Sequence, residues 1–152
     1  MTKTYLFYDI ETTGLNKAFD QVLQFAAVRT DRQLNEIKRF TVKIKLRPDV
    51  IPSPGAVITN RISLEDLATG LNEYEAIRQI HQLMNQRNTI SLGYNSLGFD
   101  DEFLRFAFHR NLLPPYTHQF QNGCRRMDLL PITVMYWLYN RKVINWPQIE
   151  AK

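Results

Sequence analysis

A single cysteine, Cys124, stands in 152 residues, so no disulfide can close within the chain, and a lone thiol fits a reducing compartment. Long hydrophobic runs are equally scarce. No apolar stretch approaches the roughly 20 residues that a membrane-spanning helix needs, and Met1 to Leu6 offers no basic region followed by an apolar core that would read as a secretory leader. These absences predict a soluble, cytoplasmic protein with no membrane partner. There is no phosphate loop ending in Gly-Lys-Ser/Thr, no dinucleotide-binding glycine fingerprint and no paired-histidine zinc motif. Tyr94-Asn95-Ser96-Leu97-Gly98 lacks the glycine two positions before Ser96 that a nucleophile elbow requires.

What is present suits one globular domain: 44% of residues are apolar and 22% charged. A chain of this length buries roughly 70% of its unfolded surface, enough for a core without metal or disulfide staples. Nineteen Lys and Arg against 15 Asp and Glu give a net charge of +4, compatible with a polyanionic partner. Seven basic residues fall between Arg29 and Arg47, against the acids Asp31 and Glu36. Lys43 and Lys45 alternate there with apolar residues, a pattern that protects an edge strand from aggregation.

Tyr5 to Ile10 is continuously apolar and rich in β-formers, predicting a central strand covered on both faces. Val22 to Thr30 reads as a second strand, and Phe40 to Arg47 as a half-buried third in an antiparallel meander. Residues 48 to 62, with Pro48, Pro52, Pro54 and Gly55, read as an irregular connection. Ser63 and Asp66 form a capping-box pattern opening a short helix that Gly70 stops; Asn72 caps a second, with Ile77, Ile80, Leu83 and Met84 at helical spacing. Thr89 to Leu92 is a fourth strand and Phe99 to Asn111 a helix. A polar and aromatic loop then reaches Arg126, and Pro131 to Tyr139 forms a last helix whose Tyr136, Trp137 and Tyr139 are expected to pack on the sheet or cover a surface awaiting further chain. Strands followed by alternating helix and strand indicate an α/β fold with a mixed sheet.

Carboxylates stand where this pattern predicts core. Asp9 and Glu11 are two apart, so a strand projects both to the face of Tyr5 and Phe7. Such a pair should repel and resist dehydration unless a cation lies between them; the alternative is that the strand ends at Tyr8 and both acids decorate a turn. Asp100 aligns with Phe103, Leu104 and Ala107 along the buried stripe of its helix. Asp101 and Glu102, within reach of Arg105, read as solvated ion-pairing positions. Asp9, Glu11 and Asp100 together suggest a cluster holding one or two divalent ions for phosphoryl hydrolysis.

Phe7-Tyr8-Asp9-Ile10-Glu11-Thr12-Thr13-Gly14 resembles the first motif of the DEDD 3′ to 5′ exonucleases, and Gly93-Tyr94-Asn95-Ser96-Leu97-Gly98-Phe99-Asp100 resembles the second. Gln24 to Asp31, Pro52 to Val57 and Ile144-Asn145-Trp146-Pro147 narrow the likeness to the N-terminal part of the bacterial exodeoxyribonuclease I family. The resemblance implies a ribonuclease H-like domain that releases 5′-mononucleotides from the 3′ end of single-stranded DNA with two Mg²⁺ or Mn²⁺ ions. It implies that Asp9 bridges both ions, Glu11 binds one beside the terminal nucleotide, and Asp100 supports the second. It further implies that Thr12, Thr13 and Leu15 meet the terminal sugar and base, that Asn95 and Phe99 shape the pocket floor, and that the full-length enzyme has a single-stranded-DNA-binding protein as a partner.

One departure stands out. The family's third motif places a general-base histidine five residues before a last metal-binding aspartate, but five residues after His81, His109 and His118 stand Gln86, Pro114 and Gly123. In the family that motif lies beyond the Asn-Trp-Pro stretch, so the domain is expected to be truncated at its C-terminal end and weakly active or inactive alone. Arg105, Tyr116 and Phe120 are expected to contact DNA, because single-strand binders combine cationic grooves with aromatic platforms. Two function classes follow: an incomplete exonuclease domain, or a nucleic-acid-binding or assembly protein on a degenerate exonuclease fold.

Overall fold

The computed structural model describes residues 2–143. The five strands are β1 (Thr4–Thr12), β2 (Val22–Thr30), β3 (Glu36–Lys43), β4 (Thr89–Gly93) and β5 (Arg125–Asp128), ordered β3-β2-β1-β4-β5 in one sheet. β1 pairs antiparallel with β2 and parallel with β4; β2–β3 is antiparallel and β4–β5 parallel. The expected mixed α/β sheet is present, with β1 at its centre.

Two-residue periodicity divides the faces of β1. Leu6, Tyr8, Ile10 and Thr12 are buried, whereas Tyr5, Phe7 and Glu11 are only partly covered and Asp9 is exposed. The strand is therefore fully covered on one face, not on both. Its buried face joins Phe25 and Val42 against α3 (Glu73–Met84) and α4 (Asp100–Arg110), which contribute Ile77, Ile80, Phe103, Leu104 and Phe108.

Caps agree with the sequence. Ser63 and Asp66 form the capping box of α2 (Leu64–Ala68), and the Asn72 side chain accepts from Glu75 N at the start of α3. Residues 48 to 62 are not wholly irregular, because α1 (Pro54–Asn60) lies within them. Ser53 caps it and Pro54 occupies its first turn, where a missing N–H breaks no intrahelical bond. β3 begins before Phe40, since Glu36 to Arg39 are exposed edge residues without apolar alternation. It ends at Lys43; Ile44 makes only an isolated bridge to Leu71.

The expected loop before Arg126 holds α5 (Thr117–Phe120) and leads into β5, whose Arg-Arg-Met-Asp sequence carries no β signature. The last helix, α6 (Leu129–Tyr139), starts at an Asp128 cap, and Tyr136 and Tyr139 are exposed, so neither is buried against the sheet. The basic run is mostly engaged. Arg29 is buried and donates to Thr4 and Thr89 hydroxyls and the Leu83 carbonyl, while Lys43 pairs with Asp66, Arg39 with Glu36 and Arg47 with Glu73. Among the described residues no helix is long and apolar enough to cross a membrane.

Gly70 closes the α2 turn against the chain after β3. A Cβ there would stand 2.8 Å from Lys43 O and 2.9 Å from Lys45 N, both backbone atoms bonded to Leu71. Gly70→Ala is expected to destabilise the fold by about 1 to 3 kcal/mol through overpacking. A circular-dichroism melt checks this; an unchanged midpoint would contradict the tight approach.

Candidate active site

The end of β1 and the first turn of α4 meet through one backbone bond. Ile10 N, between Asp9 and Glu11, donates to Asp100 Oδ1 at 3.1 Å. Because β1 runs to Thr12, Asp9 and Glu11 project from a strand and not from a turn. Asp100 lies on the buried side of α4 with only 5% of its surface exposed. Nothing caps α4 by side chain; Phe99 precedes it and packs against Phe103 with centroids 4.8 Å apart.

The three carboxyls bear an electrostatic cost. Burial pushes Asp100 up to about 7, with the Asp9 charge adding to the effect. Asp9 is exposed as a residue, but partial desolvation of its carboxyl raises it too, and partial burial raises Glu11 with help from Asp9. Asp9 is thus the neighbour shared by both other acids. All three offer hard oxygen donors, which fits a divalent cation. Among the described residues, however, no three His, Cys, Asp or Glu side chains converge closely enough to hold a metal. An ion here would need oxygens from elsewhere, as Mg²⁺ commonly takes from substrate phosphates.

Beside Glu11 lies a cleft of ≈ 370 Å³ lined by Glu11, Thr12, Gly14, Leu15 and Phe99 on one side and by Ser53, Ala56, Thr59 and Asn60 on the other. Leu15 is 82% exposed and available to a ligand. Thr12 and Thr13 are buried: their hydroxyls donate to Gly14 O and Asp20 Oδ1, so Thr13 turns inward. α1 supplies the far wall and is held by Asn60 Nδ2 donating to Thr12 O at 2.7 Å and Ser53 N donating to Thr13 O at 2.8 Å. Ser53 before Pro54 was the available sequence signal for this wall.

Asn95 is exposed with a left-handed φ of 59° and does not line that cleft. Its backbone is fixed by Asp128, whose carboxylate accepts from Asn95 N, Leu97 N and Leu130 N at 2.9, 3.1 and 2.9 Å. Sequence reasoning missed Asp128, although an Asp before Leu129-Leu130-Pro131 is a helix-cap pattern.

Asp101 corrects the expectation of a solvated acid. It is fully buried, bonded through Oδ1 to His118 Nε2 at 2.9 Å and through Oδ2 to Gln119 Nε2 and Arg126 NH1. Burial alone would raise its carboxyl, but the His118 and Arg126 contacts hold it below the usual range. Its partners lie beyond Pro114-Pro115, outside the reach of local helical spacing. Glu102 does pair with Arg105, at 2.6 Å.

Arg105 also lies over the rings of Phe106 and Tyr116, 4.3 and 5.8 Å from their centroids. Tyr116 and Phe120 are 46% and 59% exposed, so both present ring surface to solvent. Gln24 to Asp31 lies largely in β2 and Pro52 to Val57 leads into α1, whereas Ile144 to Pro147 falls outside the described residues.

Residues 6–135 match the exonuclease family model of the RNase T type. Exodeoxyribonuclease I of Buchnera aphidicola from Acyrthosiphon pisum is 37% identical over 151 residues, covering 98% of this chain and 37% of the relative. Its Escherichia coli K12 counterpart is 40% identical over 147 residues, covering 95% of this chain and 31% of that one. E. coli exonuclease I in complex with a dA16 oligonucleotide superposes with TM-score 0.92 at 37% identity, over 97% of this chain and 32% of that chain. A complex of ExoI with SSB-Ct gives 0.92 at 36% identity over 99% and 33%, and a zinc-bound E. coli ExoI–ssDNA complex 0.93 at 37% over 97% and 32%. The chain spans about a third of the length of these relatives. With carboxylates on the central strand and the α4 start, a ribonuclease H-like sheet and this family match over most of its length, the chain belongs to the exonuclease family.

Proposed function

We propose that the chain is the part of a metal-dependent 3′ to 5′ exodeoxyribonuclease domain that carries its first two carboxylate motifs and acts on single-stranded DNA. The observation carrying this reading is the Asp9, Glu11 and Asp100 group at the meeting of β1 and α4: burial raises all three carboxyls and the Asp9 charge further raises Glu11 and Asp100, which favours a cation among them. With oxygens added by substrate phosphates, Asp9, Glu11 and Asp100 would hold Mg²⁺ or Mn²⁺, two ions in the complete site. Such ions orient a water and stabilise the attacking and leaving oxygens of phosphodiester hydrolysis.

This chain's own residues bind and orient. Leu15 and Phe99 flank the cleft beside Glu11, a setting for a terminal base and sugar. Ile10 N holds the Asp100 carboxylate against β1, keeping the two motifs in one register. Arg105, Tyr116 and Phe120 would continue the strand's path by charge and stacking. In the whole protein a single-stranded-DNA-binding protein is the proposed partner, in line with the ExoI and SSB-Ct complex.

The 152 residues contain no histidine–aspartate pair at the third-motif spacing. Loss of general-base assistance typically costs about 10² to 10⁴ in rate. With 3′-labelled single-stranded DNA and Mn²⁺, the expected result is mononucleotide release at least ~10²-fold slower than by full-length E. coli exonuclease I, abolished by Asp9→Ala. Release unaffected by Asp9→Ala would overturn the carboxylate assignment, and release at the relative's rate would overturn the incomplete-site reading.

A further inference from the structure

The connection between β1 and β2 forms one wall of the cleft, and a single side chain organises it. Asp20 accepts the Thr13 hydroxyl through Oδ1 at 2.9 Å and Asn16 N through Oδ2 at 2.7 Å. Thr13 Oγ1 in turn accepts Gln21 N at 2.9 Å, and Thr13 N donates to Gln21 O at 2.9 Å. Asp20 N donates back to Asn16 O at 2.8 Å, closing the turn from both sides. The turn's outer backbone is tied to α4, where Arg110 donates to Ala18 O and Asp20 O at 2.8 and 3.3 Å. Gln21 is fully buried and bonded to Lys45 O and Arg47 N.

Gly14 gives an independent view of the same fit. A Cβ there would stand 2.5 Å from Asp20 Oδ2 and 2.9 Å from its Cγ. Asp20 therefore fills the space beneath the segment that presents Gly14 and Leu15 to the cleft, with no basic side chain bonded to its carboxylate among the described contacts.

We infer that Asp20 is a positioning residue for 3′-end recognition: it makes no contact with substrate but fixes the Thr13–Asn16 segment so that Leu15 stands over the cleft beside Glu11. This role rests on the exonuclease reading above. A carboxylate is required because both of its oxygens accept from donors in the loop. Asparagine can serve one donor but presents an N–H₂ to the other; alanine serves neither. A residue that only stabilised the fold would weaken all binding equally. Asp20 should instead alter the difference between a strand that ends and one that does not.

The test uses wild type, Asp20→Ala and Asp20→Asn, with a 5′-fluorescein poly(dT) strand bearing a free 3′-hydroxyl competed against circular single-stranded DNA in Mn²⁺. The expected wild-type preference for the linear strand falls roughly tenfold in Asp20→Ala, the scale of one lost charged hydrogen bond; Asp20→Asn lies between. Amide exchange at Asn16 and Gln21 accelerates in Asp20→Ala by a similar factor, with the exchange of β1 and α4 unchanged. An Asp20→Ala protein that keeps both the end preference and slow Asn16 exchange overturns the assignment. Faster exchange across the whole molecule also overturns it, because that would mark a general structural role. Wild type with no end preference overturns the exonuclease reading and with it the recognition role, whereas the exchange result separately decides whether Asp20 orders the loop.

Discussion

Asp100→Asn is expected to make the metal-free protein more stable at pH 8 and to leave it unchanged below about pH 4. The Asp100 carboxyl is raised to about 7, first by burial and then by Asp9, whereas in an unfolded chain it titrates near 3.9. Below the lower value both states are protonated and the side chain carries no penalty. As pH rises through this window the unfolded state releases its proton and the folded state resists, so stability declines until the folded carboxyl ionises near 7. Full conversion of that displacement gives about 4 kcal/mol; solvent reaching the site's rim reduces the expectation to about 2 kcal/mol. Asparagine keeps an oxygen for Ile10 N but no charge. Urea unfolding in chelator at pH 4, 6 and 8 checks the trend, and parallel wild-type and mutant curves would refute it. Adding Mn²⁺ together with single-stranded DNA, whose phosphates supply further oxygens, should reverse the order: binding at 100 times the dissociation constant stabilises by about 2.7 kcal/mol, and Asp100→Asn should forgo most of it.

The neighbouring residue should behave in the opposite sense. Asp101→Ala is expected to destabilise the protein by about 3 to 5 kcal/mol near neutral pH, because removing one member of a buried charge network leaves its partners without an acceptor. His118 is only 1% exposed and has no bonded group at Nδ1, so losing Asp101 leaves both ring nitrogens buried without a partner. Arg126 retains some solvent access and loses less. Since His118 and Arg126 hold the Asp101 carboxyl below its ordinary range despite its burial, its contribution is present above about pH 4 and lost as pH falls through the depressed folded value. The gap between wild type and Asp101→Ala should therefore narrow in acid, at pH values below the one at which Asp100→Asn meets wild type. A loss below 1 kcal/mol at pH 7, measured by urea unfolding, would show that the network is not a structural tie.

That two adjacent aspartates have opposite characters explains what was legible in the sequence. Asp100 could be picked out because helical spacing aligned it with Phe103 and Leu104, a local signal. Asp101 looks solvated in the sequence because Arg105 stands four residues away, while its partners in the fold, His118 and Arg126, arrive through a two-proline turn and a strand with no β pattern. The strand and helix faces followed from periodicity, as Leu6, Tyr8 and Ile10 or Ile77 and Ile80 show. α1 did not, since Pro54 and Gly55 announce irregular chain unless Ser53 is read as a cap. In the candidate site, Asp9, Glu11 and Asp100 were readable as misplaced charge. Asp20 was not, because it holds the Thr13 hydroxyl and one backbone N–H in a turn without regular spacing, and Asp128 shows in the sequence only as a helix cap, not through the Asn95 and Leu97 N–H groups that it also holds.

The bond from Ile10 N to Asp100 Oδ1 joins residues 90 apart, which fixes when the site can come into being during synthesis. β1, β2 and β3 are consecutive and can pair as soon as they emerge. Until β4 is made, the other edge of β1 is open, with its apolar Tyr5, Phe7 and Leu6 beside unpaired backbone, a template for association with other chains. The acidic pair at Asp9 and Glu11 interrupts that apolar run and so discourages such pairing before any ion or nucleic acid is present. The same two carboxylates that burden the finished fold would thus guard the nascent one.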